Sequence, residues 1–161
     1  MLQRDAEAED RTVSALVVSI LTKYADWDRF TRKFGFVTIP RTNFKQMIEA
    51  MDEQEYLNAT EQDPSTFLEM VRFWFKRVDA AAICAFSERF SKYVGTIQCE
   101  IEEKDGSYTI TLQHDLGVRY SNQLKRVYAA GIQMAIGVQP NIEVTNNSVF
   151  IKFAGHASLS N

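Results

Sequence analysis

The feature that most constrains this chain is a change of hydrophobic period after Tyr93. Before it, apolar residues recur every three or four positions; after it, they alternate. Ile97, Cys99 and Ile101 are interleaved with Gln98, Glu100 and Glu102, the pattern of a strand with one face on a core. Asp105-Gly106 predicts a tight hairpin, because such a turn needs positive φ that these residues tolerate. Tyr108, Ile110 and Leu112 then alternate on the returning strand. Residues 118–136 read as a helix with Tyr120, Leu124, Val127, Tyr128 and Gly131 on one side. Two further strands, 141–145 and 148–153, are joined at Asn146-Asn147. Alternation buries only one face, so this hairpin–helix–hairpin unit requires a helical layer. The predicted class is therefore α+β: a helical N-terminal two-thirds followed by a ββαββ antiparallel sheet unit sharing one core. The helix over 118–136 is expected to supply part of the cover, and the helix carrying Trp74 the rest.

The helical part is marked by its caps. Thr12 precedes a stripe of Val13, Leu16, Val17, Ile20, Leu21 and Tyr24, and the spacing predicts a helix that runs on, with a bend, to Gly35. Leu2 to Glu9 is helix-compatible, with Asp10-Arg11 as its turn. An extended stretch, 36–39, leads to Pro40. Thr42 is expected to cap the next helix, Asp52 to begin a short helical stretch after it, Asp63-Pro64 to start a third helix and Asp79 to cap a fourth. These elements divide the chain into segments 1–34, 35–93 and 94–153, with a tail at 154–161.

Composition excludes several functions. No apolar run approaches the ~20 residues that cross a bilayer, so no membrane partner is expected. The opening residues lack the basic-then-apolar order of a secretory signal, and two cysteines make no disulfide framework, so the expected location is cytoplasmic. There is no phosphate-binding glycine loop and no nucleophile elbow, and the chain is not expected to be an enzyme. No cofactor is implied. Cys84, Cys99, His114 and His156 match no metal-ligand spacing, so no metal site is expected.

Three groups of residues remain as candidate sites. His114-Asp115, in a strand-to-helix loop, pairs an imidazole with a carboxylate; with Trp74 and Tyr120 as apolar walls it would form a small-molecule site. A closed core without a cavity competes with that reading. Arg29, Arg32, Lys33, Arg41 and Lys45 form a basic block with no acidic residue from 29 to 48, a charged face for nucleic acid or an acidic partner. An acidic block follows, from Glu49 through Asp52, Glu53, Glu55, Glu61 and Asp63 to Glu69. Both blocks are also what solvated helix faces carry.

The third group carries a resemblance. Residues 2–17, Leu-Gln-Arg-Asp-Ala-Glu-Ala-Glu-Asp-Arg-Thr-Val-Ser-Ala-Leu-Val, resemble the two helices of ribbon-helix-helix DNA-binding proteins. That resemblance implies a homodimer packed through Val13, Leu16, Val17, Ile20, Leu21 and Tyr24. It also implies a DNA phosphate held by Thr12, Val13 and Ser14 at the start of the second helix. The base-reading ribbon of that family would precede the first helix, and this chain starts inside that helix. Weak DNA binding without sequence preference is the expectation. The segment Asp26-Trp27-Asp28-Arg29-Phe30 is similar to one in microbial proteins with such an N-terminus, which implies no function. The expected function is a cytoplasmic, transcription-related regulator whose C-terminal region binds an effector or a protein. The alternative is a small-molecule sensor without DNA binding.

Overall fold

A computed structural model describes residues 1–60 and 64–155. The chain forms two compact units, Met1–Thr38 and the residues from Ile39 onward. The predicted Asp63 cap, Glu61, His156 and most of the tail lie outside the described residues.

In the first unit, α1 (Leu2–Ala8) is followed by a turn with Asp10 at φ 50° and by α2 (Val13–Lys23). Thr12 caps α2 as its sequence position predicts: its Oγ1 accepts the Ala15 N–H at 3.1 Å. The expected bend is a π turn over Tyr24–Asp28, where the i→i−4 ladder widens by one residue. A single α turn, α3 (Arg29–Thr31), and a 3₁₀ turn (Arg32–Phe34) carry the chain to Gly35 at φ 67°. Ala6, Leu16 and Trp27 are the buried apolar side chains of this unit.

The second unit is built around the C-terminal sheet. Strands β1 (Gln98–Lys104), β2 (Ser107–Gln113), β3 (Asn141–Val144) and β4 (Ser148–Ala154) pair antiparallel in the order β1-β2-β4-β3. The register aligns Ile101, Ile110, Ile151 and Ile142 in one row across all four strands, with Cys99, Leu112, Val149 and Val144 in the next. Ile110, Leu112, Val149 and Ile151 are almost fully buried, whereas the other face shows Glu100, Glu102, Phe150, Lys152 and Glu143 to solvent. The Asp105-Gly106 turn has φ 51° and 74°, the pair of positive values the sequence called for.

Helix α8 (Val118–Ile136) spans the predicted residues and packs on β3 and β4. The rest of the cover corrects the sequence reading. It comes from α7 (Ala80–Val94), which lies on β1, while α6 (Pro64–Phe75), the helix of Trp74, packs against α7 and α8. Both buried helices are apolar along a whole face, and the wider apolar surface of α6 is spent on them. Helix α5 (Glu53–Ala59) is capped by Asp52 and α7 by Asp79, each carboxylate accepting an N–H at 2.8 Å. Helix α4 (Arg41–Ala50) starts one residue before the predicted cap. Pro40 occupies that position at φ −58°, and the Thr42 hydroxyl faces Asn43 instead of a backbone N–H.

The contact of α6 with α8 is close because Gly131 has no side chain. A Cβ there would lie 2.5 Å from Cδ1 of Phe67. Phe67 cannot retreat, since it packs edge-on against Phe86 at 5.6 Å and against Tyr128 at 5.4 Å. Gly131→Ala is therefore expected to lose about 1–3 kcal/mol through overpacking, although alanine favours a helix. Denaturant melts of the two proteins check this, and an unchanged midpoint would contradict it.

Candidate functional site

The loop from β2 to α8 holds the predicted His114-Asp115 pair, and its geometry determines what chemistry is open to it. The backbone N–H of His114 donates to Asn147 O at 2.9 Å, which ties the loop to the β3–β4 turn. The imidazole is buried and bonded on both nitrogens. Leu116 N–H donates to Nδ1 at 3.1 Å, and Nε2 lies 3.0 Å from Ser121 Oγ. Nδ1 is thus an acceptor, so in the neutral ring the proton sits on Nε2 and is donated to Ser121. A base that activated Ser121 would need that nitrogen empty. Ser121 is itself fully buried. This histidine fixes a loop and is in the wrong tautomer to activate a nucleophile.

Asp115 is drawn the other way, to the surface of α4. Arg41 Nε and Nη2 donate to its Oδ1 at 3.0 and 2.6 Å. Those bonds hold the Asp115 carboxyl below its ordinary range, so it is a poor proton donor. Tyr120 stands between the two helices: its ring meets His114 at 5.0 Å and Phe44 of α4 at 5.9 Å, both edge-on. Three of the four predicted ligand residues are therefore neighbours. Trp74 packs with Phe73 and Phe86 in the aromatic group of α6 and α7.

Arg119, which no sequence pattern singles out, completes the arrangement. Its Nη1 donates to the carbonyls of Ile48, at 2.9 Å, and Met51, where the last turn of α4 leaves acceptors unpaired. Gln123 accepts from the Tyr56 hydroxyl of α5. Arg41 at one end and Arg119 at the other fasten α4 across the start of α8. An arginine whose partners are carbonyls about seventy residues away leaves no local signature.

The other predicted residues are distributed as follows. Arg41 is committed to Asp115, and Lys45 on the same helix is half-buried. Arg29 stacks over Phe30 at 4.3 Å and Lys33 over Phe34 at 5.4 Å, within the first unit. The Thr12 hydroxyl is used in its own cap, while Val13 and Ser14 open α2. Cys84 and Cys99 are free thiols, pushed up to about 12 chiefly by burial. Among the described residues no three metal-binding side chains lie together, and no helix is long and apolar enough to cross a membrane. A hollow of about 260 Å³ lies on the open sheet face, at the opposite end of β2 from His114. Its lining is Glu102, Lys104, Asp105, Ser107, Thr109 and Lys152, without the apolar walls of a typical small-molecule site. No family model matches the chain, and no curated protein matches it in sequence.

The burial of His114 gives a pH dependence with a definite sign. Desolvation holds its pKa below 6.5; the Asp115 carboxylate opposes this and Arg41 adds to it. The unfolded chain takes up the proton near pH 6.5 and the folded chain only at lower pH. Stability from this group is full above 6.5 and is lost as pH falls below it. Comparing denaturant melts of the protein and His114→Gln between roughly pH 7.5 and 5 isolates the effect. The unmodified protein is expected to lose more stability over that range; parallel slopes would contradict the assignment.

Proposed function

We propose that this chain is a non-catalytic homodimeric regulatory protein that assembles through α2, with its second unit as the part that meets an effector or a protein. The observation that carries the reading is the surface of α2. From Val13 to Thr22 this helix has no charged residue. Only Leu16 is fully buried, whereas Val18 is 62% and Leu21 60% exposed, with Tyr24 beyond them. Large apolar side chains left in water on an uncharged helix mark a surface that is covered by a partner. A unit of 38 residues is also near the size below which chains need a partner, a metal or disulfides to stay folded. A second copy supplies the missing half.

This reading keeps the dimer implied by the ribbon-helix-helix resemblance and moves its centre. Leu16 packs within the unit, so the face offered to a partner is that of Val18, Leu21 and Tyr24. A transcription-related role is part of the proposal; strong DNA binding is not. Residues 1–38 carry six basic and six acidic side chains, and Asp5, Glu7, Glu9 and Asp10 precede the α2 N-terminus closely in the chain. Phosphate placed there would meet carboxylates. The free thiols fit the reducing cytoplasm that the proposal assigns to the protein.

Light scattering at micromolar concentration should show a dimer for the unmodified chain and a monomer for a Val18→Glu, Leu21→Glu variant with unchanged helical circular dichroism. Each apolar anchor contributes about 1.5–3 kcal/mol, so two charges there are expected to weaken association more than about a hundredfold. A monomeric unmodified chain would overturn the proposal. Titration with duplex DNA should give weak binding, independent of sequence and steeply reduced by salt. Tight, sequence-selective binding at physiological salt would require another reader.

A further inference from the structure

We propose that the outer edge of β1 is a docking site for an extended peptide in which basic and apolar residues alternate. This deepens, and rests on, the reading that the second unit meets a protein. β1 is the outermost strand of the sheet, and the elements packed closely on it are β2 and α7. Its ladder with β2 runs through all seven residues, Gln98 to Lys104, without a bulge. The Asp105-Gly106 turn makes the residues on either side of it, Lys104 and Ser107, a hydrogen-bonded pair. Bonded and non-bonded pairs then alternate. Glu102 and Glu100 turn their backbone groups to β2, and Glu103, Ile101 and Cys99 turn theirs outward. The core is also unfinished along this edge. Cys99 and Ile101 are half-buried, whereas Leu112 and Ile110, their partners on β2, are almost fully buried.

Charge selects the occupant. Glu100 and Glu102 line the edge on the open face of the sheet. Burial pushes the Cys99 thiol up, and the nearby charges of Glu88 on α7 and of Glu100 add to it, so a carboxylate also stands on the covered side. Among the described residues none of these three carboxylates is in an ion pair. A second copy of β1 fits poorly. Twofold antiparallel pairing centred on Ile101 sets Glu100 against Glu102 twice, and centring on either glutamate sets it against itself. Charged side chains also guard an edge against aggregation, but β1 has neither the proline nor the bulge that closes an edge to every strand. β3, the other outermost strand, is four residues long and follows Pro140 directly, so it offers a shorter ladder. A strand added to β1 would bond the outward backbone groups whatever its sequence. Its side chains opposite Glu100 and Glu102 fall on the open face and are best basic. The one between them, opposite Ile101, falls beside α7 and is best apolar.

Fluorescence anisotropy with the full chain tests this, using a labelled, terminally capped peptide of alternating lysine and valine as long as β1. That peptide is expected to bind. One of the same composition, with its lysines and valines in two blocks, should bind about tenfold more weakly. Methylating one alternate set of backbone amides in the alternating peptide should abolish binding, because those amides face β1; methylating the other set should spare it. Glu100→Lys with Glu102→Lys should weaken binding of the lysine peptide at least about tenfold and create binding of a glutamate–valine peptide. Glu49→Lys with Glu143→Lys, both exposed, makes the same charge change away from β1 and should alter neither result. No binding of the lysine peptide, equal binding of the two-block peptide, equal effects of the two methylations, or equal loss in the control overturns the proposal. Dissociation of the dimer by saturating peptide would assign the edge to a second copy and also overturn it. The α2 variants leave β1 untouched. A monomer that binds the peptide therefore overturns only the dimer, and a dimer that does not bind it overturns only this docking.

Discussion

The row of Ile101, Ile110, Ile151 and Ile142 sets the geometry of the larger unit. Side chains alternate along a strand, so a slip of one residue would send this row to solvent and bring Glu100, Thr111, Phe150 and Glu143 inward. The apolar cost of such a slip fixes the register of all four strands together. With that face set, α7 and α8 have only one side of the sheet on which to lie, and α6 has only their backs. The missing Cβ of Gly131 lets the outer layer close against Phe67.

The same register decides where the β2–α8 loop emerges and hence what His114 can do. Its backbone is held by the neighbouring turn, its ring by Leu116 and Ser121, and Tyr120 covers it edge-on. Each of these bonds satisfies a buried polar group that would otherwise cost about 1–3 kcal/mol, and together they leave the imidazole no lone pair for a substrate. Two arginines then act on one helix by different chemistry. Arg41 meets a carboxylate at the start of α4, and Arg119 meets bare carbonyls at its end. The exposed ion pair is worth little in water, so the half-buried Arg119 is the firmer of the two fastenings.

How far the sequence foretells this depends on whether a signal is local. The strands, their hairpin turn, the Thr12 and Asp79 caps, and the extent of α8 follow from period and from turn chemistry within a few residues. Which helix covers β1 does not, because α6 and α7 both carry a broad apolar face and period alone cannot rank them. His114, Asp115 and Tyr120 are neighbours because they are neighbours in sequence; Trp74 was grouped with them by the same misplacement of α6. Arg119 is invisible for the opposite reason, its partners being backbone atoms of a helix far away in the chain. Pro40 displaced Thr42 from the expected cap by having the φ that a helix start requires.

The first unit shows where apolar pattern and burial part company. Its stripe from Val13 to Tyr24 is as regular as any in the chain, and in the second unit such stripes end in a core. Here Leu16 is buried at 4% exposure and Val18 and Leu21 remain outside. The difference is one of supply: α1 is seven residues long and offers little beyond Ala6 to cover a helix of eleven. Apolar area left in water costs roughly 25 cal/mol per Å², whatever the helix propensity of its residues. A surface of that kind, free of the charges that would keep it solvated, is stable when another apolar surface of matching shape covers it, and the twofold pairing we propose would provide one from the same gene product.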